Sequence, residues 1–113
     1  MLPRKKLVPL RSEFGRIRAS GKMYDSPSFG LMVSFGHKGE AQSAFIVSKK
    51  IDKRSVVRHD VKRKLSDAVS PFLARLPKNL ELVFLAKKKA IESSGEELKK
   101  EILNTLQRAK ILT

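Results

Sequence analysis

The chain has 113 residues, of which 25 are lysine or arginine and 11 are aspartate or glutamate, so its formal net charge is +14. It has no cysteine, which excludes disulfides and thiolate zinc sites, and no stretch approaches the roughly 20 apolar residues of a membrane-spanning helix. The length predicts one domain over residues 1–113, in which 41% hydrophobic residues can form a modest core. A polyanion is the favoured partner, because each neutralised phosphate releases counterions.

The N-terminal segment predicts a basic arm followed by a short helix. Residues 1–9 are basic and contain two prolines, which favours a loose arm. Phe14 and Ile17 stand at helical spacing and predict a helix over about residues 10–20 that ends at Gly21.

Two strands are predicted next. A turn-rich passage over residues 22–27 leads to residues 28–35, where a large apolar side chain recurs strictly at every second position, as in a strand with one face in the core. Residues 36–40 are typical of a hairpin loop and residues 42–47 of a returning strand, so the two strands are expected to pair antiparallel. The side chains expected to face the core from the first strand are Phe29, Leu31, Val33 and Phe35.

A long basic helix follows the second strand. On a helix with 100° per residue, the apolar residues between Val57 and Phe72 fall within an arc of roughly 80°, which should pack on the core. The opposite arc, of roughly 140°, carries four basic residues: Arg58, His59, Lys62 and Arg63. This second side is available to a phosphate backbone.

Local ion pairs are predicted for part of this helix. Asp60 precedes Lys64 by four residues and Arg63 precedes Asp67 by four, spacings at which helical side chains meet. Arg58 and Lys62 have no such acid and are expected to be free. Four more cations cluster just upstream, on the strand end and the turn: Lys49, Lys50, Lys53 and Arg54.

The rest of the chain predicts one strand and one helix. The basic helix is expected to reach about Leu76, with Pro71 bending or shortening it. Residues 80–86 are nearly all apolar, as in a strand covered on both sides. Ser94 and Glu97 have the capping-box spacing, which predicts the start of a last helix. The predicted fold is α+β: a helix, a small antiparallel or mixed sheet, the long basic helix, a strand and a helix, in a two-layer α/β sandwich.

Two motifs flank the start of the basic helix: Val-Ser-Lys-Lys-Ile at residues 47–51 and Arg-His-Asp-Val-Lys-Arg-Lys at residues 58–64. Together they resemble the signature of the protein subunit of bacterial ribonuclease P. The order of elements, including a Glu-Phe pair that ends at Phe14 in the first helix, agrees over nearly the whole chain. That family usually has Asn and Arg where this chain has His59 and Asp60, the second being a reversal of charge.

The resemblance implies a small basic cofactor of a ribozyme. In that family the RNA subunit releases the 5′ leader of precursor tRNA, with magnesium bound mainly by the RNA. The resemblance therefore implies no catalytic residue, and no metal or other cofactor bound by this chain alone. It also implies a split βαβ unit with a left-handed crossover, an exception to the usual right-handed rule.

The expected partners are the catalytic RNA and the single-stranded leader, with no membrane and no obligate protein partner, in the cytoplasm. The signature helix of the family meets the catalytic RNA, and a cleft between the first helix and the sheet holds the leader. The residues matched to the RNA-binding helix and turn are Lys49, Lys50, Lys53, Arg54, Arg58, His59, Lys62 and Arg63. The residues matched to the leader cleft are Phe14, Arg18, Phe29 and Phe45.

The residues alone leave two other functions open. A general RNA-binding or ribosomal-type protein with a similar fold would have the same charge and shape. A stand-alone nuclease is the other candidate, against which stands the lack of a carboxylate cluster suited to magnesium. The two histidines, His37 and His59, are the residue type most often used for acid–base catalysis, and neither has a recognisable catalytic context.

Overall fold

The computed structural model describes residues 7–8, 10–36 and 39–112, and the side chains of these residues except those of residues 10–13. The elements in this part of the chain are α1 (Leu10–Ser20), β1 (Lys22–Asp25), β2 (Phe29–Phe35), β3 (Gln42–Ile46), α2 (Ser55–Leu73), β4 (Leu80–Ala86), α3 (Lys89–Glu92) and α4 (Gly95–Arg108).

The four strands form one mixed sheet in the order β1-β2-β4-β3. β2 runs antiparallel to β4, with Phe29 opposite Ala86, and β3 runs parallel to β4, with Gln42 opposite Glu81. The predicted antiparallel hairpin of β2 and β3 is wrong, because β4 lies between them. Six of the seven residues of β4 are buried, which confirms the prediction of a strand covered on both sides.

A βαβ unit connects the two parallel strands, with α2 as the crossover from β3 to β4. Since β3 and β4 are direct neighbours in the sheet, no strand splits this unit. The left-handed sense of the crossover stays a prediction. The connectivity places the start of α2, and the basic turn before it, beyond the carboxyl end of β3.

β1 is an edge strand that the sequence analysis assigned to a turn. It pairs antiparallel with β2, with Lys22 opposite Val33, and three of its four residues are exposed. The prediction of a turn over residues 22–27 is therefore wrong for residues 22–25.

Two apolar clusters fill the two faces of the sheet. The larger cluster lies between the sheet and the helices α2 and α4, and the smaller one lies under α1. The α+β class and the mixed sheet are confirmed, and α1 adds a partial third layer. Phe35, which was expected in the core, is 56% exposed at the end of β2. The buried members of the smaller cluster are Val8, Ile17, Met32, Ala44 and Val83.

The end of the N-terminal arm is tied to the outer edge of β3. The backbone N–H of Val8 donates to the carbonyl of Ser43 at 2.9 Å, and Leu7 forms a parallel bridge with the same residue. The prediction of a loose arm is wrong for residues 7 and 8. Residues 1–6 and 9 lie outside the described residues.

The helix predictions are confirmed in most respects. On α2 the apolar stripe is buried from Val61 to Phe72. The helix ends at Leu73, three residues earlier than expected and two after Pro71. The capping box of α4 is present: the N–H of Glu97 donates to the Ser94 hydroxyl, and the Glu97 carboxylate accepts from the Ser94 N–H.

Lys64 joins α2 to the short helix α3. Its Nζ donates to the carbonyl oxygens of Ala90 at 2.9 Å, Ile91 at 3.1 Å and Ser93 at 2.9 Å. The predicted ion pair between Lys64 and Asp60 is wrong, because the ammonium group instead satisfies carbonyls at the end of α3, where a cation is favoured.

We expect Lys64→Met to lower the free energy of unfolding by about 2 kcal/mol, because three carbonyls lose a charged donor. Lys62→Met is the matched control, since it makes the same change on the same helix at a lysine with no acceptor among the described residues. The control should change stability by less than about 0.5 kcal/mol. Urea denaturation measures both, and equal losses would contradict this role of Lys64.

Glu101 fastens α4 to the turn between β1 and β2. Its carboxylate accepts from the Ser26 hydroxyl at 2.7 Å, and from the Ser28 hydroxyl at 2.6 Å and N–H at 2.9 Å. Burial would raise the pKa of Glu101, but these hydrogen bonds outweigh it, so the pKa lies below its ordinary value of 4.5.

A lowered pKa in the folded state predicts the pH dependence of this contact. The contribution of the Glu101 carboxylate to stability is complete above the ordinary pKa and is lost as the pH falls through the folded-state pKa. Glu101→Gln is therefore expected to destabilise the protein at neutral pH, and the difference from wild type should shrink in acid. Urea denaturation across the acid range, with exposed Glu92→Gln as the control, checks this. A difference that is independent of pH would refute it.

Candidate nucleic-acid interface

The turn between β3 and α2 is ordered by one apolar anchor. Ile51 is half-buried and packs against the larger apolar cluster, and its N–H donates to the carbonyl of Ser48 at 3.0 Å. The Ser48 hydroxyl also accepts from the N–H of Lys50 at 3.0 Å. Because the anchor points inward, the lysine side chains of the turn are exposed: Lys49, Lys50 and Lys53.

Asp52 and Arg58 close this turn onto the helix. The Asp52 carboxylate accepts from Arg54 Nε at 3.0 Å, Nη2 at 2.9 Å and the backbone N–H at 2.8 Å, and the hydrogen bonds from the Arg54 side chain and backbone lower the pKa of Asp52 to about 2. Arg58 Nη1 donates to the carbonyls of Asp52 at 3.1 Å and Lys53 at 2.9 Å. The prediction that Arg58 is free is wrong, since Arg58 and Arg54 both hold the turn in shape.

The first turn of α2 has no acid and no side-chain cap. Its N-cap residue is Arg54, whose side chain makes no capping hydrogen bond. Helix N-termini favour anions, because backbone N–H groups point outward there and the helix dipole is positive. Val56, in the same turn, is 79% exposed and offers an apolar surface between the cations.

The outer face of α2 carries cations of two kinds. Arg63 is held by carboxylates on its own helix, Asp60 at 2.7 Å and Asp67 at 4.0 Å, and its hydrogen bond lowers the pKa of Asp60. His59 is exposed and Lys62 is half-buried. Within the described ranges, four lysines of the turn and helix donate to no protein group: Lys49, Lys50, Lys53 and Lys62. We call the whole set of predicted RNA-binding residues on this turn and helix the basic face: Lys49, Lys50, Lys53, Arg54, Arg58, His59, Lys62 and Arg63.

Asp60 holds a cation of the basic face away from external anions. We expect Asp60→Asn to tighten RNA binding several-fold, because it leaves Arg63 only its weaker contact with Asp67. Asp60→Arg should tighten binding further, with a salt slope steeper by roughly one phosphate. Filter binding at several salt concentrations measures both variants. Weaker binding by both would show that Asp60 presents Arg63 to the RNA in a required orientation.

On the opposite face of the sheet, α1 leaves one row of residues partly open. The strand register places Asp25, Gly30, Leu85 and Ile46 side by side across the four strands. Leu85 and Ile46 are half-buried, and Gly30 adds no side chain. Phe14 on α1 is also half-buried and packs against the same cluster as Leu85 and Ile46. We call the surface formed by Phe14, Ile46 and Leu85 the α1 groove.

The phenylalanines predicted for a leader cleft do not lie together. Phe29 is 0% exposed in the larger cluster, with its ring centroid 5.3 Å from that of Phe84. Phe45 stacks on the other side of Phe84 at 5.4 Å, also on the α2 face. The prediction of Phe29 as a cleft residue is wrong, and Phe45 lies outside the α1 groove. Phe14 and Arg18 do lie on α1, Arg18 being exposed in its last turn.

Ile46 and Leu85 are groove residues that the sequence analysis did not single out. Ile46 follows Phe45 and Leu85 follows Phe84 in the sequence. Because successive side chains of a strand point to opposite faces of the sheet, this position could have identified them as residues of the other face. Val56 was missed on the basic face, although it is an apolar residue on the polar side of an amphipathic helix.

The described residues contain neither a cluster of metal ligands nor a membrane-spanning helix. No three His, Cys, Asp or Glu side chains in that part of the chain form a group that could hold a metal ion. None of its helices is long and apolar enough to cross a membrane. His37 lies outside the described residues.

A mixed sheet with a basic crossover helix on one side and a partly open apolar groove on the other defines a small α+β protein suited to binding RNA. A sequence profile of the family Ribonuclease P matches residues 2–110. The chain is 28% identical over 113 residues to the ribonuclease P protein component of a Pseudanabaena species, covering 99% of this chain and 97% of the relative. It is 34% identical to that of Caldanaerobacter subterraneus, covering 93% of this chain and 91% of the relative.

Solved structures agree in fold. The ribonuclease P protein of Staphylococcus aureus superposes with a TM-score of 0.83 at 16% identity, covering 96% of this chain and 98% of the other. The Thermotoga maritima protein, solved in complex with 1-(4-fluorophenyl)-2-thiourea, gives 0.78 at 21% identity, covering 89% and 97%. The chain belongs to the ribonuclease P protein family, the protein components of a tRNA-processing ribonucleoprotein, and its RNA-binding role follows from that membership.

Proposed function

We propose that this chain binds the catalytic RNA of ribonuclease P through the basic face and the single-stranded 5′ leader of precursor tRNA through the α1 groove. The observation that carries the proposal is the concentration of unpaired lysines on one ordered turn and one helix. The two surfaces lie on different sides of the fold, so one protein can touch the catalytic RNA and the leader at the same time.

The basic face has the chemistry of a phosphate-binding surface. Its four unpaired lysines lose no protein contact when they meet RNA, whereas Arg54 and Arg58 keep the turn in place. Fixed cations of this kind bind RNA mainly through its backbone, with an affinity that depends strongly on salt. The uncapped start of α2 adds backbone N–H groups that favour a phosphate.

The α1 groove has the chemistry of a single-strand site. Phe14 offers a ring face, and Ile46 and Leu85 offer an apolar floor. Stacking on such surfaces accepts any base, because every base has a π-face, and this suits leaders of varied sequence. Arg18 is exposed on the same helix as Phe14, where it can reach a leader phosphate.

In this proposal the RNA subunit performs the cleavage with magnesium that it binds itself, and the protein contributes binding and positioning. No obligate protein partner is required. The family membership supports this division of roles, and cleavage assays with the protein alone test it.

Leader binding is tested by comparing two substrates on the reconstituted ribonucleoprotein: precursor tRNA with a leader of several nucleotides and the matching mature tRNA. We expect the protein to increase affinity for the precursor more than for the mature tRNA. An equal increase for both would overturn the leader assignment and leave RNA-subunit binding as the whole role of the protein.

A further inference from the structure

A buried acid helps to fasten α1 to the sheet. Glu81 is 1% exposed, although it stands in the otherwise apolar strand β4. Its Oε2 accepts a hydrogen bond from Arg16 Nη2 at 2.7 Å, and its Oε1 has no hydrogen-bond partner among the described residues. A buried carboxylate without a cation is strongly unfavourable, so Arg16 is required above this point of the sheet.

Two glycines leave the space that this arrangement needs. A Cβ at Gly36 would lie 2.3 Å from Arg16 Nη1, and a Cβ at Gly21 would lie 2.7 Å from the carbonyl oxygen of Ile17. Any side chain at either position would have to push α1 or the guanidinium away. The close approach of this end of α1 to the sheet is therefore specified by several residues together.

The same helix carries the aromatic residue of the α1 groove. Phe14 precedes Arg16 by two residues, and Leu85 follows Glu81 by four residues on β4, a distance of roughly 13 Å along the strand. Because an α-helix moves as a rigid element, the height of Arg16 above Glu81 fixes the height of Phe14 above the groove floor.

We propose that Arg16 and Glu81 are positioning residues that set the width of the α1 groove and thereby its affinity for a single-stranded RNA leader. This inference rests on the proposed leader-binding function. Neither residue needs to touch the RNA, and the pair acts through Phe14.

The test replaces both members of the pair. Arg16→Met/Glu81→Met keeps the net charge and similar side-chain volumes, and apolar replacement of an ion pair with a buried member often preserves stability. The readout is the ratio of affinities of the reconstituted ribonucleoprotein for precursor tRNA and mature tRNA. We expect this ratio to fall about fivefold, as for the loss of one base-stacking contact. Binding of the RNA subunit, and its salt slope, should not change.

Two further variants separate positioning from general destabilisation. Arg75→Met/Glu92→Met removes the same two charges at exposed positions and should leave the ratio unchanged. Arg16→Lys keeps a cation above Glu81 and should retain most of the wild-type ratio of affinities for precursor and mature tRNA.

Each outcome decides the inference. A double variant that keeps the wild-type ratio overturns it, whereas a wild type without leader preference overturns the leader-binding proposal and this inference with it. If the double variant does not fold, Glu81→Gln is measured in the same way, since it removes the ion pair but keeps the side-chain shape. A wild-type ratio in Glu81→Gln would likewise overturn the inference.

Discussion

Replacing the four unpaired lysines of the basic face with alanine is expected to weaken binding of the RNA subunit by about 100-fold or more at moderate salt. The variant is Lys49→Ala/Lys50→Ala/Lys53→Ala/Lys62→Ala. If each lysine neutralises one phosphate, the slope of log affinity against log salt should fall by about 3. Filter binding over a range of salt concentrations measures both quantities.

The control removes the same charge elsewhere. Lys78, Lys88, Lys99 and Lys100 are also exposed, and changing all four to alanine lowers the net charge equally. Diffuse attraction by a protein with a charge of +14 should weaken in both variants, whereas direct phosphate contacts should be lost only from the basic face. Equal losses of affinity and slope would contradict a localised interface.

Arg58→Ala alone should weaken RNA binding by more than the loss of one phosphate contact, because Arg58 Nη1 also holds the turn.

The second large effect distinguishes two phenylalanines. Phe29→Ala is expected to lower the free energy of unfolding by about 4 kcal/mol, because it opens a cavity in the larger core. Phe14→Ala removes a half-buried ring and should cost about 1 kcal/mol in stability, but it should lower leader-dependent affinity about tenfold through lost base stacking.

Denaturation and binding of precursor and mature tRNA measure the two effects separately. Phe29→Leu, which keeps most of the core volume, provides a folded protein for the binding assay and should retain wild-type leader discrimination. If Phe29→Leu lost discrimination between precursor and mature tRNA while Phe14→Ala kept it, the leader site would have to be assigned to the other face of the sheet.

Local periodicity predicted the helices well because each helix makes its backbone hydrogen bonds within its own segment. The bounds of α1 and the capping box of α4 follow from nearby residues, and so does the buried stripe of α2. The basic face was predicted for the same reason, since four of its residues share one side of one helix. Its division into held arginines and unpaired lysines was not predictable, because the acceptors of Arg58 are backbone carbonyls of a turn.

The strand order depends on distant parts of the chain. The loop over residues 36–40 favours a hairpin locally, but β4, which is apolar except for Glu81, is most stable in the centre of the sheet, between β2 and β3. A strand predicted to be covered on both sides was in fact evidence against pairing β2 directly with β3. β1 was missed because an edge strand of four largely exposed residues has no apolar pattern.

The α1 groove was only partly predictable because helices cover both faces of the sheet. Alternation correctly placed Phe29 with Leu31 and Val33, but it does not indicate whether α1 or α2 covers that side. An acid in a buried strand needs a cation, but the sequence analysis did not single out Glu81. The identity of that cation as Arg16, 65 residues away, follows only from the tertiary structure.

Cleavage of a 5′-extended precursor tRNA at low magnesium tests the central claim most directly. The reaction contains a bacterial ribonuclease P RNA with or without this protein, and a third reaction contains the protein alone. We expect fast cleavage only when RNA and protein are both present. Cleavage by the protein alone would contradict the assignment of the chemistry to the RNA. Absence of stimulation, with salt-sensitive binding to the RNA intact, would contradict the cofactor role.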